Sequence, residues 1–355
     1  MLVGILYEPC KRFGENLQVY EKILDFNNIE HIRMDASNPD FWNIIPKIDL
    51  FIFRGRIRDD QQQLMNTILP IIENHYGVKC FPNLSTYWSY DDKIKEYLLL
   101  KSYGFPVIDS YIFWNKKDAL NWFRNASLPL VFKLKAGASS SNVILIRKKS
   151  QGIRLIKKMF SRGIMPDRIP DIGKTQLKDF KFTKYIRKNG GKLLRLIKGM
   201  DPTPFWNRHK NYIYFQKYLP GNSFDTRVVV VNHKAFAFRR LNRKKDFRSS
   251  GSKSFDFNPG KVDTQIIRKA FEVSERMQFQ SMAYDFLYNE RKEIYICEIS
   301  YISPEETIPK LPGYWDRDLV WHSEQFVIQY LHLVEALKMP ELKMPIIHDL
   351  IKHKS

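Results

Sequence analysis

Two carboxylates stand where the sequence is otherwise apolar. Asp285 lies in Ala283-Tyr284-Asp285-Phe286-Leu287-Tyr288, and Glu298 in Glu293-Ile294-Tyr295-Ile296-Cys297-Glu298-Ile299-Ser300. The two runs read as the strands of one buried hairpin. Carboxylates are rarely buried without a positive partner. Two of them converging from adjacent strands suit a hard cation such as Mg²⁺, which takes oxygen ligands and often bridges to nucleotide phosphates. The strand period of two sets Ser300 on the face of Glu298 and turns Ile299 into the core. The plainer reading is a buried pairing of both acids with nearby arginines.

Other residue types fit phosphoryl chemistry. In Val131-Phe132-Lys133-Leu134-Lys135 the two lysines alternate onto one face, and the small residues Gly137-Ala138-Ser139-Ser140-Ser141 follow. Such a turn lets backbone N–H groups approach phosphate oxygens closely. Taken alone it reads as an exposed hairpin turn with surface lysines. The strand containing Gln216, Lys217, Tyr218 and Leu219 ends at Pro220-Gly221. Its backbone can read an adenine edge, or it is only a strand ending in a turn. Asp225 and Arg227 share a face at the mouth of a valine-rich strand whose partner ends in Arg239-Arg240. Arginine is always charged, and its rigid fork matches carboxylate or phosphoryl oxygens. An Asp225–arginine ion pair that orders the sheet edge is the structural alternative. Asp246-Phe247-Arg248-Ser249 forms a polar turn after that hairpin. No convincing Ser-His-Asp or Cys-His nucleophile is present.

The elements that must position these residues follow from periodicity. Strands are expected over residues 2–6, 31–34, 49–53 and 78–81, with helices over 15–26 and 61–76, the second interrupted by Pro70. This βαβαβ order implies a parallel sheet covered by helices. No G-x-G-x-x-G follows the first strand, so dinucleotide binding has no motif support. A helix over 89–103 starts at Asp91-Asp92 and stops at Gly104. A second module follows: strand 110–114, helix 117–125, strands 130–135 and 143–146, and a helix near 177–188. The last part reads as strand 212–218, a hairpin of 227–231 with 235–240, helix 263–276, the Asp285/Glu298 hairpin, and an amphipathic helix over 319–338. The run from Leu311 to Asp318 reads as packing for that helix before it reads as an acceptor site.

With 355 residues, of which 44% are hydrophobic and 14% aromatic, the chain suffices for two or three domains. No apolar run is long enough to span a bilayer, and the N-terminus reads as a strand, not a signal peptide. Three widely spaced cysteines suggest a reducing, cytoplasmic compartment and exclude a cysteine zinc motif. The net charge is +20, and residues 147–201 hold 17 Lys and Arg against 4 Asp, a net +13. That segment reads as a solvated surface or as a face for a polyanion or anionic membrane surface, which leaves peripheral membrane association open. No sequence-specific nucleic-acid motif is present.

The ordered set of Lys133 with its small turn, Gln216 to Gly221, Asp225-x-Arg227, Arg239-Arg240, Asp246-Phe247-Arg248-Ser249, Asp285 and Glu298-x-Ser300 resembles the ATP-grasp superfamily, particularly its RimK-like carboxylate–amine ligases. The resemblance covers roughly residues 89–305. It implies an α/β and α+β chain: a Rossmann-like pre-ATP-grasp domain (1–88), a central subdomain (89–211) with a basic insertion (147–201), a catalytic subdomain (212–310) and a helical extension (311–355). It further implies ATP held between two α+β subdomains. Lys93, Lys133 and Lys135 would contact phosphates under the loop bearing Ser139 and Ser140, and Gln216, Lys217, Tyr218 and Leu219 would meet the adenine. Mg²⁺ would sit on Asp285, Glu298 and Ser300, with Arg227, Arg240 and Arg248 at the substrate carboxylate and the transferring phosphoryl group. The chemistry implied is ligation of small-molecule or peptide carboxylate and amine substrates through an acyl phosphate. The alternatives are an ATP-grasp kinase and a non-catalytic module that docks on anionic partners. Two departures stand out: the family's Glu-x-Asn is Glu298-x-Ser300 here, and Lys217 replaces an acidic residue of the adenine hinge.

Overall fold

The computed structural model describes residues 1–7, 11–55, 57–137, 142–165, 207–244, 246–303 and 305–351. The chain divides into two compact units. The larger holds residues 1–56, 64–108 and 219–355, and the smaller holds 57–63 and 109–218.

The larger unit contains the expected parallel sheet. Strands β1 (Leu2–Leu6), β2 (Glu30–Met34), β3 (Leu50–Ile52) and β4 (Lys79–Phe81) lie in the order β2-β1-β3-β4, all parallel. The inner strands are apolar on both faces because helices cover them: Val3, Ile5, Leu50 and Ile52 are all buried. Helix Lys11–Phe26 adds Leu17, Tyr20, Ile23 and Leu24 to this core, and Leu333 and Ala336 of helix Ile328–Leu337 close it. The C-terminal segment is therefore part of the N-terminal core, not an extension from it. His332 fixes that helix through polar contacts: Tyr20 Oη lies 2.6 Å from Nδ1 and Ser281 Oγ 3.1 Å from Nε2. Burial holds the imidazole well below its ordinary value, at about 3.

Three expected helices differ in extent. The second runs from Asp59 to Pro70 and continues as one wide turn over Ile71–His75, so Pro70 marks the junction. The helix expected over 89–103 is two pieces, Leu84–Tyr87 and Lys93–Ser102. Asp91 takes a left-handed φ of 51°, and the Asp92 side chain accepts the N–H groups of Ile94 and Lys95, so Asp92 is the cap and not the first turn. Gly104, with φ 76°, ends this helix as expected. The helix expected from 319 begins only at Ile328. The Asp316 carboxylate accepts the N–H groups of Asp318 and Val320, and the turn this forms makes a short hairpin of β14 (Tyr314–Trp315) with β15 (Trp321–His322).

The other sheet of this unit is antiparallel. Its main path joins β13 (Ile294–Ser300), β12 (Ser281–Tyr288), β9 (Phe224–Val231), β10 (Lys234–Leu241), β14 and β15, and β11 (Phe255–Asp256) pairs with β10. Its apolar face (Val229, Val231, Phe236, Phe238, Ala283) packs on Leu311, Tyr314, Ile328 and Leu331, so the run near Leu311 is packing.

The smaller unit is an antiparallel sheet in the order β5-β8-β6-β7, from β5 (Ser110–Phe113), β6 (Leu130–Lys133), β7 (Val143–Ile146) and β8 (Ile213–Lys217). The expected boundary at 211/212 is corrected here: β8 pairs with β5 and β6, so the division falls after Tyr218. Helix Lys93–Ser102, expected in the central subdomain, belongs to the larger unit. Helices Lys116–Asn125 and Lys149–Met159 meet at Gly152, where an added Cβ would stand 1.9 Å from the Phe123 ring. Only glycine permits that approach. The helix expected near 177–188, with most of the basic segment, lies outside the described residues. Among the described residues no helix is long and apolar enough to cross a membrane.

Candidate active site

Strand register assembles the charged residues. Asp225 pairs with Arg240 across β9 and β10, Arg227 with Asp285 across β9 and β12, and Asp285 with Glu298 across β12 and β13. Directly opposed residues project to the same face, so five charged side chains from four strands share it, with Ser300 two residues beyond Glu298. The β12–β13 register shifts immediately after Asp285. Bulges of this kind re-aim side chains beside functional sites.

The interior of this array is closed. Arg240 donates from Nε and Nη2 to the two oxygens of Asp225 at 2.7 and 2.6 Å, and from Nη2 to Asp285 Oδ2 at 2.6 Å. Arg227 grips Asp285 with two parallel bonds of 2.7 and 2.8 Å. Burial alone would raise the Asp285 pKa, but the two guanidiniums outweigh it and hold the carboxyl well below the usual range. Arg240, expected to touch substrate, is 6% exposed and committed to two aspartates. It positions Asp285. Arg227 is the more open of the pair, with its side chain 19% exposed against 7%.

The edge of the array is different. Lys93 Nζ lies 3.1 Å from Glu298, whose side chain is 33% exposed. Glu96, one helical turn beyond Lys93, is 4% exposed, and its Oε2 accepts the N–H of Ile299 at 3.2 Å. Burial, then the charge of Glu298, pushes the Glu96 carboxyl well above the usual range. Burial would lower the Lys93 pKa, but Glu298, Asp91 and Glu96 more than compensate and raise it. Glu96 was not singled out from sequence, and Asp91 was named there only as part of the helix start. The signal for Glu96 was its spacing of three from Lys93, which stacks the two on one helical face.

Among the described residues no three Asp, Glu, His or Cys side chains gather as a self-sufficient metal cage. Mg²⁺ does not require one, since it keeps waters and takes one or two carboxylates plus phosphate oxygens. The half-exposed Glu298 carboxylate and the Ser300 hydroxyl, which donates to the Ile302 carbonyl at 3.5 Å, fit that role. Asp285, expected as a full ligand, already accepts three arginine hydrogen bonds. As it stands, it serves the arginines before a cation.

Lys133, Lys135, Gln216, Lys217 and Tyr218 belong to the smaller unit, and Leu219 begins the next segment of the larger. Lys133 is buried at the end of β6, and the Lys135 N–H donates to Tyr212 Oη at 3.0 Å. The strand stops at Lys133, so the expected alternation to Lys135 is not continued. The Gln216 side chain turns inward, to Ser110 and Tyr214, and its backbone lies in β8 between β5 and β6. Lys217 is exposed and Leu219 buried. Arg248 chelates Asp246 within its own turn, at 2.7 to 3.1 Å. Ser139 and Ser140 lie outside the described residues.

No sequence-family profile matches the chain. A Mycoplasma pneumoniae protein, named as an uncharacterized MG012 homolog, is 26% identical over 275 residues, which are 74% of this chain and 88% of the relative. Among solved structures, D-cycloserine synthetase DcsG superposes with a TM-score of 0.57 at 10% identity, covering 96% of this chain and all of its own. A RimK-domain ATP-grasp protein from Sphaerobacter thermophilus gives 0.55 at 9% identity, over 95% of this chain and all of its own. Carboxyaminoimidazole ribonucleotide synthase from Aspergillus clavatus, complexed with ATP, gives 0.53 at 13% identity, over 97% and 78%. At such identities the likeness is one of fold, which the chain shares with these structures, a RimK-domain ATP-grasp protein among them.

Proposed function

We propose that this chain is an ATP- and Mg²⁺-dependent ligase that joins a carboxylate to an amine. The observation that carries the reading is the register of Arg227, Asp285 and Glu298 across three neighbouring strands, with Lys93 against Glu298, on an ATP-grasp fold. Structural neighbours named as a synthetase and a synthase favour the same general kind of chemistry. The substrates belong to the proposal only as classes, a small-molecule or peptide acid and an amine.

A carboxylate is a poor electrophile. ATP supplies the phosphoryl group that turns it into an acyl phosphate, and the amine then forms the C–N bond, losing a proton as phosphate departs. Bound Mg²⁺ would neutralise phosphate charge at Glu298, Ser300 and the near side of Asp285. The chain itself contributes position and fixed charge. Arg240 holds Asp285 ionised and in place. Arg227, partly open, exchanges part of its grip on Asp285 for the anionic group being transferred. Lys93 leaves Glu298 for phosphate oxygens. Arg248 is assigned to the substrate carboxylate, with Asp246 as its resting partner.

Calorimetric titration with a non-hydrolysable ATP analogue, with and without Mg²⁺, tests this directly. Binding that strengthens with Mg²⁺ supports the reading, and ADP release that then requires both an acid and an amine identifies a ligase. ADP release without amine indicates a kinase instead. No nucleotide binding would overturn the enzyme reading and leave the docking module, which the saturated state of Asp285 favours.

A further inference from the structure

Strand β13 is the outer strand of its sheet, and outer strands carry amide groups that no neighbouring strand satisfies. Here those amides are met individually. The Ile296 N–H donates to the Pro106 carbonyl at 2.8 Å, and the Ile108 N–H returns a bond to the Ile296 carbonyl at 3.2 Å. At Ile299 a side chain replaces the backbone: Glu96 Oε2 accepts that N–H at 3.2 Å. Ile299 stands between Glu298 and Ser300, the two residues best placed to offer oxygens to a cation. The Ile299 side chain is itself 2% exposed, so core packing and this one hydrogen bond clamp the peptide from two directions. Glu96 shares helix Lys93–Ser102 with Lys93, the partner of Glu298. One helical turn thus sets both the strand that carries the oxygens and the lysine that faces them.

We propose that Glu96 is a positioning residue for the nucleotide–metal site, acting through its hydrogen bond to the Ile299 amide to fix the directions of Glu298 and Ser300. The inference rests on the ligase reading above. A hydrogen bond to a buried amide has two consequences on removal: the amide is left unsatisfied, and the groups beside it lose their aim. Partners that orient metal ligands in this way are commonly worth about 10- to 100-fold in metal affinity.

The test compares Glu96→Leu, which removes the acceptor, with Glu96→Gln, which keeps an acceptor oxygen and removes the charge. Each protein is titrated with Mg²⁺ at a fixed concentration of the ATP analogue, and thermal midpoints are recorded alongside. Glu96→Leu is expected to raise the Mg²⁺ concentration for half-maximal enhancement by roughly 10-fold, and Glu96→Gln to stay within about twofold of wild type. If Glu96→Leu does not fold, Glu96→Asp, which withdraws the acceptor by one methylene, takes its place with the same expected shift. A lowered midpoint with an unchanged Mg²⁺ response would overturn the proposal, leaving Glu96 as an edge cap only. A Gln variant as impaired as Leu would overturn it in favour of charge. Wild-type protein that binds no nucleotide would overturn the ligase reading and this inference together, an outcome distinct from the other two.

Discussion

The interior of the charged array and its edge use the same residue types to opposite ends. Inside, Asp225, Arg240, Asp285 and Arg227 alternate in sign across three strands, and every carboxylate oxygen holds a guanidinium. At the edge, Lys93, Glu298 and Glu96 meet across a helix and an outer strand, with two acids for one lysine and Glu298 a third exposed. Sheet position makes the difference. A central strand fixes its side chains through neighbours on both sides, whereas an outer strand has one fixed side and one that a ligand or a side chain can take. The interior is built to hold its geometry, and the edge is built to exchange partners.

The largest effect should come from breaking the interior. Arg240→Leu leaves Asp225 and Asp285 buried with a single guanidinium between them. Removal of one partner from a buried ion pair typically costs about 3–5 kcal/mol. A urea midpoint lowered to that extent is expected, with an unchanged slope. A loss under about 1 kcal/mol would mean that the ladder behaves like surface charge and that the contrast with the edge is unfounded.

The two regions should also respond to pH with opposite sign. Asp285 titrates lower in the fold than its ordinary 3.8, so its contribution is present above that value and is lost as pH falls through its folded value. Glu96 titrates higher in the fold than its ordinary 4.5. Its contribution is full below that value and declines as pH rises through its folded value, at no more than about 1.4 kcal/mol per pH unit. Glu96→Gln should therefore flatten the decline of stability on the high-pH side and leave the acid limb, set by Asp285, in place. Denaturant midpoints from about pH 2 to about pH 9 read both limbs. An acid limb that disappears in Glu96→Gln would place the linkage on the wrong residue.

How much of this was legible in the sequence follows the same division. Period-two alternation and valine-rich strands gave the pairing of Asp285 with Glu298 and the shared face of Asp225 and Arg227, because in-register strands translate spacing into geometry. The parallel N-terminal sheet was equally plain from apolar runs separated by helical stretches. What stayed hidden was decided by contacts distant in sequence. Glu96 and Ile299 are far apart in the chain, and nothing local to either announces the bond. The hairpin of β14 and β15 replaced an expected helix because one Asp316 carboxylate captured two N–H groups, a local hydrogen bond that overrode apolar spacing. Strand β8 fell on the other side of the expected division because its partners, β5 and β6, precede it by some eighty residues or more. Arg240 looked like a substrate contact because a fork of donors reads alike whether its acceptor is a ligand or a neighbouring strand.

The smallest change in stability, with the largest in function, is expected at the edge. Glu298→Gln keeps an oxygen that can accept from Lys93, and Asp91 and Glu96 remain near that lysine to balance its charge. A cost of about 1 kcal/mol or less follows for a pair that is partly exposed. The substitution removes the partly exposed carboxylate that faces Lys93, and with it a negative charge that would attract a divalent ion. Nucleotide-analogue binding should persist without Mg²⁺ while its enhancement by Mg²⁺ disappears, and ATP turnover should fall to background. Turnover near wild type would return the cation to Asp285, which would then have to release Arg227 to receive it. In that case Arg227→Lys, which cannot form the two-pronged grip, should bind Mg²⁺ with nucleotide more tightly than wild type.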